Sequence, residues 1–147
     1  MKPDLPEDPA DRVSAHPGVL DDPIRLLIAD DDEQTTLVLS ESLPAFGFDV
    51  VGSAHSGAEA GDKVAALHPE VVLMDLRMPG VDGIEATVQI KAREPKTQVV
   101  ILTAHPGDHA RDLAEFMGAD DLLEKNAPLE KIASRLRAAA LAYRTSE

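Results

Sequence analysis

Five short apolar runs, separated by longer amphipathic segments, constrain the fold of this chain more than any other feature. The first, third and fourth runs are almost continuously apolar, which is typical of strands buried on both faces of a parallel sheet. The second run alternates and indicates an edge strand, and the fifth is weak. The runs cover residues 25–29, 48–54, 71–74, 98–102 and 121–124.

The segments between and after these runs are predicted to be helical, over residues 34–45, 58–67, 83–93, 108–117 and 128–143. Pro44 is expected to stop or kink the first helix, Gly118 to follow the end of the fourth, and Pro128 to open the fifth. Five strand–helix units joined by right-handed crossovers predict an α/β fold, a doubly wound five-stranded parallel sheet in one domain over residues 24–143.

The buried face of the third predicted helix is read from its apolar spacing. Ile84, Thr87 and Val88 follow the i, i+3, i+4 pattern, whereas Ile90 falls outside it. The pattern therefore predicts that Ile84, Thr87 and Val88 face the sheet.

The two ends of the chain differ from this pattern. Residues 1–23 hold five of the 11 prolines and carry −4 of the net charge, with few residues able to bury a surface. We predict a disordered or loosely attached acidic arm over residues 1–23. Residues 144–147 are predicted to be a short tail.

Charge and composition exclude several classes of function. The chain has 14 basic and 27 acidic residues, a net charge of −13 and no basic patch in the linear sequence, so we expect no direct nucleic-acid binding. It contains no cysteine, which excludes disulfides, thiolate zinc sites and cysteine nucleophiles. No run approaches the ~20 apolar residues that span a bilayer, and the N-terminus lacks a secretory signal. We therefore expect a cytoplasmic protein that does not bind membranes.

Polar residues follow the predicted strands at the sheet edge where doubly wound folds bind ligands. Clustered carboxylates repel one another unless a proton or cation intervenes, and Mg²⁺, with Mn²⁺ as an alternative, suits such oxygen ligands. A hydroxyl and an ammonium beside them suggest phosphoryl transfer, with an aspartate as nucleophile. The residues are Asp30, Asp31 and Asp32 after the first strand, Asp75 after the third, Thr103 after the fourth and Lys125 after the fifth.

The end of the second predicted strand offers no distinctive residue for this site. Four of the five histidines have no shared spacing, so we interpret them as surface residues rather than metal ligands. They are His16, His55, His68 and His109.

Four segments resemble the receiver domain of two-component response regulators: LLIADDD at 26–32, VVLMDLRMPGVDG at 71–83, VVILTAH at 99–105 and GADDLLEK at 118–125. The resemblance covers about residues 24–143 and implies a (βα)5 fold of the flavodoxin and CheY type, with strand order 2-1-3-4-5. The details are most similar to the NarL-type branch, whose members usually continue into a DNA-binding domain. With the sequence ending at Glu147, we expect no output domain in this chain.

The resemblance implies which carboxylate accepts the phosphoryl group and which ones bind the metal. Asp75 would be the phosphoacceptor and a metal ligand. Asp31 would ligate Mg²⁺ directly and Asp30 mainly through water, while the main-chain carbonyl of Arg77 would complete the protein's share. The side chains of Arg77 and His105 are candidates for tuning the lifetime of the phosphoryl group.

The remaining motif residues take supporting roles in this family. Thr103 would be the switch hydroxyl that bonds one phosphoryl oxygen, and Lys125 would pair with another. Pro79 and Gly83 would shape the loop after the acceptor. Asp32 is expected to lie outside the metal site and is assigned no role.

Three positions depart from the family pattern. Many receivers have an aromatic switch residue where this chain has Leu122, so output is expected to be weaker or to use another route. Asn126 replaces a proline that often follows a cis bond, which predicts a trans bond here. Glu124 stands where apolar residues are frequent.

The resemblance implies a signalling switch rather than an enzyme, with catalysis limited to its own phosphorylation and dephosphorylation. Mg²⁺-dependent transfer from a histidine kinase or phosphotransfer protein to Asp75 would change the face of the fourth helix, fifth strand and fifth helix. That face would bind a downstream protein or a second copy of the chain. Docking of an acidic partner is suggested by four basic residues, Arg111, Lys131, Arg135 and Arg137.

Two alternatives remain open from the sequence. The first is an interaction module that keeps the fold but works without phosphorylation, an alternative that Leu122 leaves open. The second is a phosphatase acting through an aspartyl phosphate. Such enzymes commonly carry an Asp-x-Asp motif, whereas Arg77 fills the third place here.

Overall fold

A computed structural model describes residues 20–78, 82–104, 107 and 109–146. Strands and helices alternate throughout this part of the chain, and a 3-10 turn at Leu43–Phe46 follows the first helix. The elements are β1 (Ile24–Ala29), α1 (Glu33–Ser42), β2 (Phe48–Ala54), α2 (Gly57–Leu67), β3 (Val71–Met74), α3 (Gly83–Arg93), β4 (Gln98–Thr103), α4 (Ala110–Phe116), β5 (Asp121–Glu124) and α5 (Leu129–Thr145).

The five strands form one parallel sheet in the order β2-β1-β3-β4-β5, which confirms the predicted fold class and strand order. Each strand lies within one residue of its predicted bounds. Because all neighbours are parallel, the carboxyl ends of the strands meet at one edge of the sheet.

Helices cover both faces of the sheet and divide the core into two clusters. Leu26 and Ile28 of β1 pack on the side of α1 and α5. Leu27 and Ala29 of the same strand pack on the side of α2, α3 and α4. A strand buried on both faces has no polar side to show, which explains the continuous apolar runs.

Two helices differ from their predictions. α1 ends at Ser42, and Pro44 lies in the 3-10 turn after it, so Pro44 does stop the helix as expected. The predicted face of α3 is only partly correct. Thr87 is buried and Ile84 is half-buried against the core, but Val88 is 45% exposed, and Ile90, predicted to lie off this face, is buried together with Ala86. The buried positions 83, 86, 87 and 90 follow helical spacing, but Gly and Ala at two of them carry little hydrophobic signal.

The chain ends also differ from prediction. α5 runs to Thr145, so the first two residues of the predicted tail are helical. The Arg144 guanidinium donates to Glu70 and to the main-chain oxygens of Asp22 and Pro23. Leu20 packs against the core, so the last residues of the predicted arm contact the domain. Residues 1–19 lie outside the described residues, as does Asp108, where the fourth helix was predicted to begin.

No helix within the described ranges combines the length and apolar character needed to cross a membrane.

Gly118 has a φ of +86° directly after α4 and its C-cap Met117, as predicted for a residue that ends a helix.

Candidate functional site

The carboxyl edge of the sheet brings together the polar residues that follow β1, β3, β4 and β5. β1 and β3 pair with Ala29 opposite Met74, so Asp30 and Asp75 leave neighbouring strands at the same level. The main-chain N–H of Asp75 donates to the carbonyl of Ala29 at 2.8 Å. This pairing places two acidic side chains side by side through backbone geometry alone.

Three carboxylates form the centre of the site. Asp30 and Asp75 are 3% and 6% exposed, whereas Asp31 is open to solvent. One ligand oxygen from each of the three lies within 4.8 Å of the others. Three converging carboxylate oxygens are a donor set that suits a hard divalent cation such as Mg²⁺.

Lys125 supplies the positive charge of the site. Its Nζ lies 2.8 Å from Oδ2 of Asp30 and 3.3 Å from Oδ2 of Asp75. The main-chain N–H of Lys125 donates to the carbonyl of Thr103 at 2.8 Å, which ties the ends of β5 and β4 together. Thr103 itself is buried at the end of β4.

The protonation of the site follows from this arrangement. Burial raises the pKa of Asp75, and the charge of Asp30 raises it further, against the opposing effects of the Arg77 N–H and Lys125. For Lys125, burial lowers the pKa, but the hydrogen bond and charge of Asp30 and the charge of Asp75 outweigh burial and raise it overall. The site therefore favours a bound cation and holds its lysine protonated.

Asp32 is the N-cap residue of α1. Its carboxylate caps α1 by accepting from the Gln34 N–H at 3.0 Å and from the Thr35 hydroxyl at 2.9 Å. Its own N–H donates to Oδ1 of Asp30 at 2.9 Å. Asp32 thus starts the helix and restrains the neighbouring carboxylate.

The loop after β3 passes close to Asp75. The Arg77 N–H donates to Oδ1 of Asp75 at 3.3 Å. The Gly83 N–H donates to the Leu76 carbonyl at 3.0 Å, and a Cβ at Gly83 would lie 2.1 Å from the Asp75 carbonyl oxygen. Only glycine fits this approach without movement of the backbone. Pro79 and His105 lie outside the described residues.

The positions that depart from the family pattern have clear surroundings. Leu122 is buried among residues that include Ala114 and Met117 on the α4 side of the sheet. Glu124 is exposed. No cis peptide bond occurs in the described residues, so the expected trans bond before Asn126 is confirmed.

One residue near the site was missed from the sequence. His55 follows β2 directly, and its Nδ1 lies 3.1 Å from the main-chain oxygen of Asp30. His55 is half-buried and is not among the clustered carboxylates, but its contact with Asp30 makes it more than the isolated surface residue that was predicted. The available signal was its place one residue beyond a strand, at the same edge as the aspartates.

The predicted basic residues divide between two kinds of environment. Arg135 forms a two-pronged ion pair with Asp121, and Arg137 donates to the carbonyl of Phe46. Arg111 and Lys131 are exposed on α4 and α5.

Comparison with known proteins agrees with the geometry. The family model described as the response regulator receiver domain matches residues 26–137. Response regulator protein VraR from Staphylococcus saprophyticus is 37% identical over 116 residues, which are 78% of this chain and 56% of VraR. Response regulator MprA from Mycobacterium bovis is 35% identical over 115 residues, which are 78% of this chain and 50% of MprA.

A solved structure shows the same likeness in three dimensions. The signal receiver domain of NarL from Mycobacterium tuberculosis matches with a TM-score of 0.77 and 28% identity, covering 81% of this chain and 97% of that domain. The chain spans about half the length of the curated relatives it matches.

Proposed function

Because the chain belongs to the response regulator receiver domain family, which acts in two-component signalling, we propose that it is a phosphorylation-dependent switch. Its phosphoryl donor is a histidine kinase or a phosphotransfer protein, and its acceptor is Asp75. One observation carries the proposal: a buried aspartate stands beside two further carboxylates and within 3.3 Å of a lysine ammonium.

The donor set supports Mg²⁺ as the cofactor, with Mn²⁺ as an alternative. The three carboxylates that approach within 4.8 Å offer only oxygen atoms, which hard cations prefer. We assign Asp31, Asp75 and the Arg77 carbonyl as ligands, with Asp30 acting mainly through water. When bound, the ion supplies positive charge that offsets the negative charge of the phosphoryl oxygens.

The protein's own residues carry out the transfer. A carboxylate oxygen of Asp75 forms a bond to phosphorus while the phosphorus–nitrogen bond of the donor phosphohistidine breaks, and its electron pair stays on the imidazole. Lys125 pairs with one phosphoryl oxygen, and the Thr103 hydroxyl donates to a second. The only reactions that the chain catalyses are the phosphorylation and dephosphorylation of its own Asp75.

Lys125 and Thr103 connect the site to the face through which the switch acts on other proteins. Their backbones are hydrogen bonded at 2.8 Å, and Thr103 ends the strand that leads to α4. Movement of either side chain toward the phosphoryl group shifts the α4–β5–α5 face. We assign this face to a downstream protein or a second copy of the chain, and the protein to the cytoplasm. The lifetime of the phosphoryl group is tuned by the Arg77 and His105 side chains.

Intact-mass analysis tests the acceptor. Incubation with Mg²⁺ and acetyl phosphate is expected to add one phosphoryl group to the wild type and none to Asp75→Asn or to the wild type in EDTA. Asp49→Asn, at an exposed position on β2, is the matched control and should be phosphorylated normally.

Rapid hydrolysis could hide the adduct, so beryllofluoride binding is measured in parallel by fluorine NMR. Beryllofluoride should bind to the wild type in the presence of Mg²⁺ and not to Asp75→Asn. Absence of both the phosphoryl adduct and beryllofluoride binding, in a folded protein, would replace this proposal with the phosphorylation-independent module.

A further inference from the structure

His55 makes two contacts that link the start of α2 to the acidic site. Its Nδ1 lies 3.1 Å from the main-chain oxygen of Asp30. Because a carbonyl oxygen can only accept a hydrogen bond, this contact is a hydrogen bond in the tautomer that carries its proton on Nδ1. The oxygen belongs to the peptide unit that joins Asp30 to Asp31. His55 therefore holds the link between two of the three carboxylates of the site.

The position of the His55 ring is set by the first turn of α2. The His55 main-chain N–H donates to Oε1 of Glu59 at 2.7 Å, and Ser56 caps the helix by accepting from the Glu59 N–H at 3.1 Å. Glu59 is in turn 3.1 Å from Nζ of Lys63. These bonds fix the backbone of His55 on a helix start instead of leaving it in a free loop.

The backbone of Asp30 is held from both sides as a result. The Asp30 N–H donates to the carbonyl of Ala54 at 2.9 Å. The Asp30 carbonyl accepts from the ring of His55, the residue that follows Ala54. The Thr36 hydroxyl approaches the same carbonyl only at 3.4 Å and lies nearer to the Asp32 carbonyl. The imidazole is thus the closer of the two side-chain donors to this peptide unit.

We propose that His55 is a positioning residue of the Mg²⁺ site, whose Nδ1–H orients the Asp30–Asp31 peptide so that both carboxylates face the ion. This inference rests on the proposed function, because it assumes that the acidic cluster binds Mg²⁺. Ligand orientation by a hydrogen-bonded neighbour strengthens metal binding by reducing the disorder that binding must remove.

Two substitutions separate the hydrogen bond from the bulk of the side chain. His55→Leu removes the donor, and His55→Asn keeps an N–H on the same atom position, since both Nδ1 and the amide nitrogen are bonded to Cγ. Calorimetric titration with MgCl2 is expected to show a Kd about 5- to 10-fold weaker for His55→Leu. His55→Asn should stay within about twofold of the wild type, as expected for rescue by a conservative variant.

The control is His68→Asn, at the C-cap of α2, where the φ of +49° suits asparagine. It should leave the Mg²⁺ Kd unchanged. If the wild type and His55→Leu bind Mg²⁺ equally, this inference is overturned and the proposed function stands. If the wild type itself binds no Mg²⁺, the proposed function fails as well.

A measurement on the wild type covers the case in which His55→Leu does not fold. Nitrogen-15 NMR of labelled histidine at pH 8, where an ordinary imidazole is neutral, reports which ring nitrogen carries the proton. We expect the neutral ring of His55 to carry its proton on Nδ1, because that nitrogen donates to the Asp30 carbonyl. The Nε2–H form with a bare Nδ1 would overturn the proposal, whatever the variants show.

Discussion

At the scale of single residues, Lys125 offsets the charge of two buried carboxylates. Its ammonium contacts Asp30 more closely than Asp75, at 2.8 Å against 3.3 Å. Asp75 is therefore the less compensated of the two, and burial together with Asp30 raises its pKa. A carboxylate held in this way costs stability and is ready to gain a compensating cation.

Asp75→Asn is expected to stabilise the metal-free protein at neutral pH. Because the folded-state pKa of Asp75 is raised above 3.8, its protonated form supports the fold at low pH, and that support is lost as pH rises through the folded-state value. Asparagine stays uncharged throughout. In urea denaturation with EDTA at pH 7, the unfolding free energy of the variant should exceed that of the wild type by about 1.4 kcal/mol for each unit by which folding raises the pKa of Asp75. Near pH 3 the two proteins should be equally stable. A less stable variant at pH 7 would contradict this account.

Two glycines make a matched pair of tests. Gly83→Ala places a Cβ against the backbone of Asp75 and Leu76, at 2.1 and 2.7 Å, and should cost about 2–4 kcal/mol of unfolding free energy. Gly61→Ala lies within α2 with nothing within 4 Å of the new Cβ, and should stabilise by about 0.5–1 kcal/mol. Urea denaturation of both variants decides, and equal effects would disprove the close approach at Gly83.

At the scale of elements, α5 is tied to the amino edge of the sheet by a network around Glu70. Arg144 donates to both carboxylate oxygens of Glu70, and the Arg25 main-chain N–H donates to one of them at 3.1 Å. Burial raises the pKa of Glu70, but the Arg144 and Arg25 hydrogen bonds and charges outweigh burial and lower it. This contact clamps the last turn of α5 against β1.

Arg144→Ala should therefore destabilise the protein in a pH-dependent way. A carboxyl whose folded-state pKa is lowered contributes stability above its unfolded value of 4.5, and that stability is lost as pH falls through the folded value. We expect a loss of about 1–3 kcal/mol at pH 7 that shrinks toward pH 2–3. Guanidinium denaturation at both pH values measures it. Arg93→Ala, at an exposed position ending α3, is the control and should change stability by less than about 0.5 kcal/mol.

At the scale of the whole molecule, the net charge of −13 makes any cation stabilising by screening. A specific Mg²⁺ site must therefore be separated from the general effect of charge. Replacing Asp30 and Asp31 by asparagine removes two of the 27 acidic residues, so most of the overall negative field remains.

Thermal unfolding in MgCl2 and in NaCl of equal ionic strength provides this separation. Mg²⁺ at ten times its Kd should stabilise the wild type by about 1.4 kcal/mol beyond NaCl, which raises Tm by a few degrees. The Asp30→Asn, Asp31→Asn double variant should respond equally to both salts. A Mg²⁺-specific shift that survives in the double variant would place the ion elsewhere.

The sequence by itself determined the strands, their order along the chain and the residues at their carboxyl ends. Continuous apolar runs report burial on both faces, and a parallel sheet brings strand ends to one edge, so local pattern was sufficient for the aspartates, Thr103 and Lys125. The family resemblance added the strand order in space, which the structure confirms.

Only the tertiary structure decided the features that depend on contacts between distant segments. The α3 face was predicted only in part, because Gly83 and Ala86 face inward through close packing, which hydrophobicity does not record. The last turn of α5 is held by the contact of Arg144 with Glu70, which lies 74 residues away in the sequence. His55 lies near the site because β2 is the neighbour of β1. Its ring contacts a main-chain oxygen, and since every residue has one, the amino-acid sequence does not indicate which oxygen will be the partner.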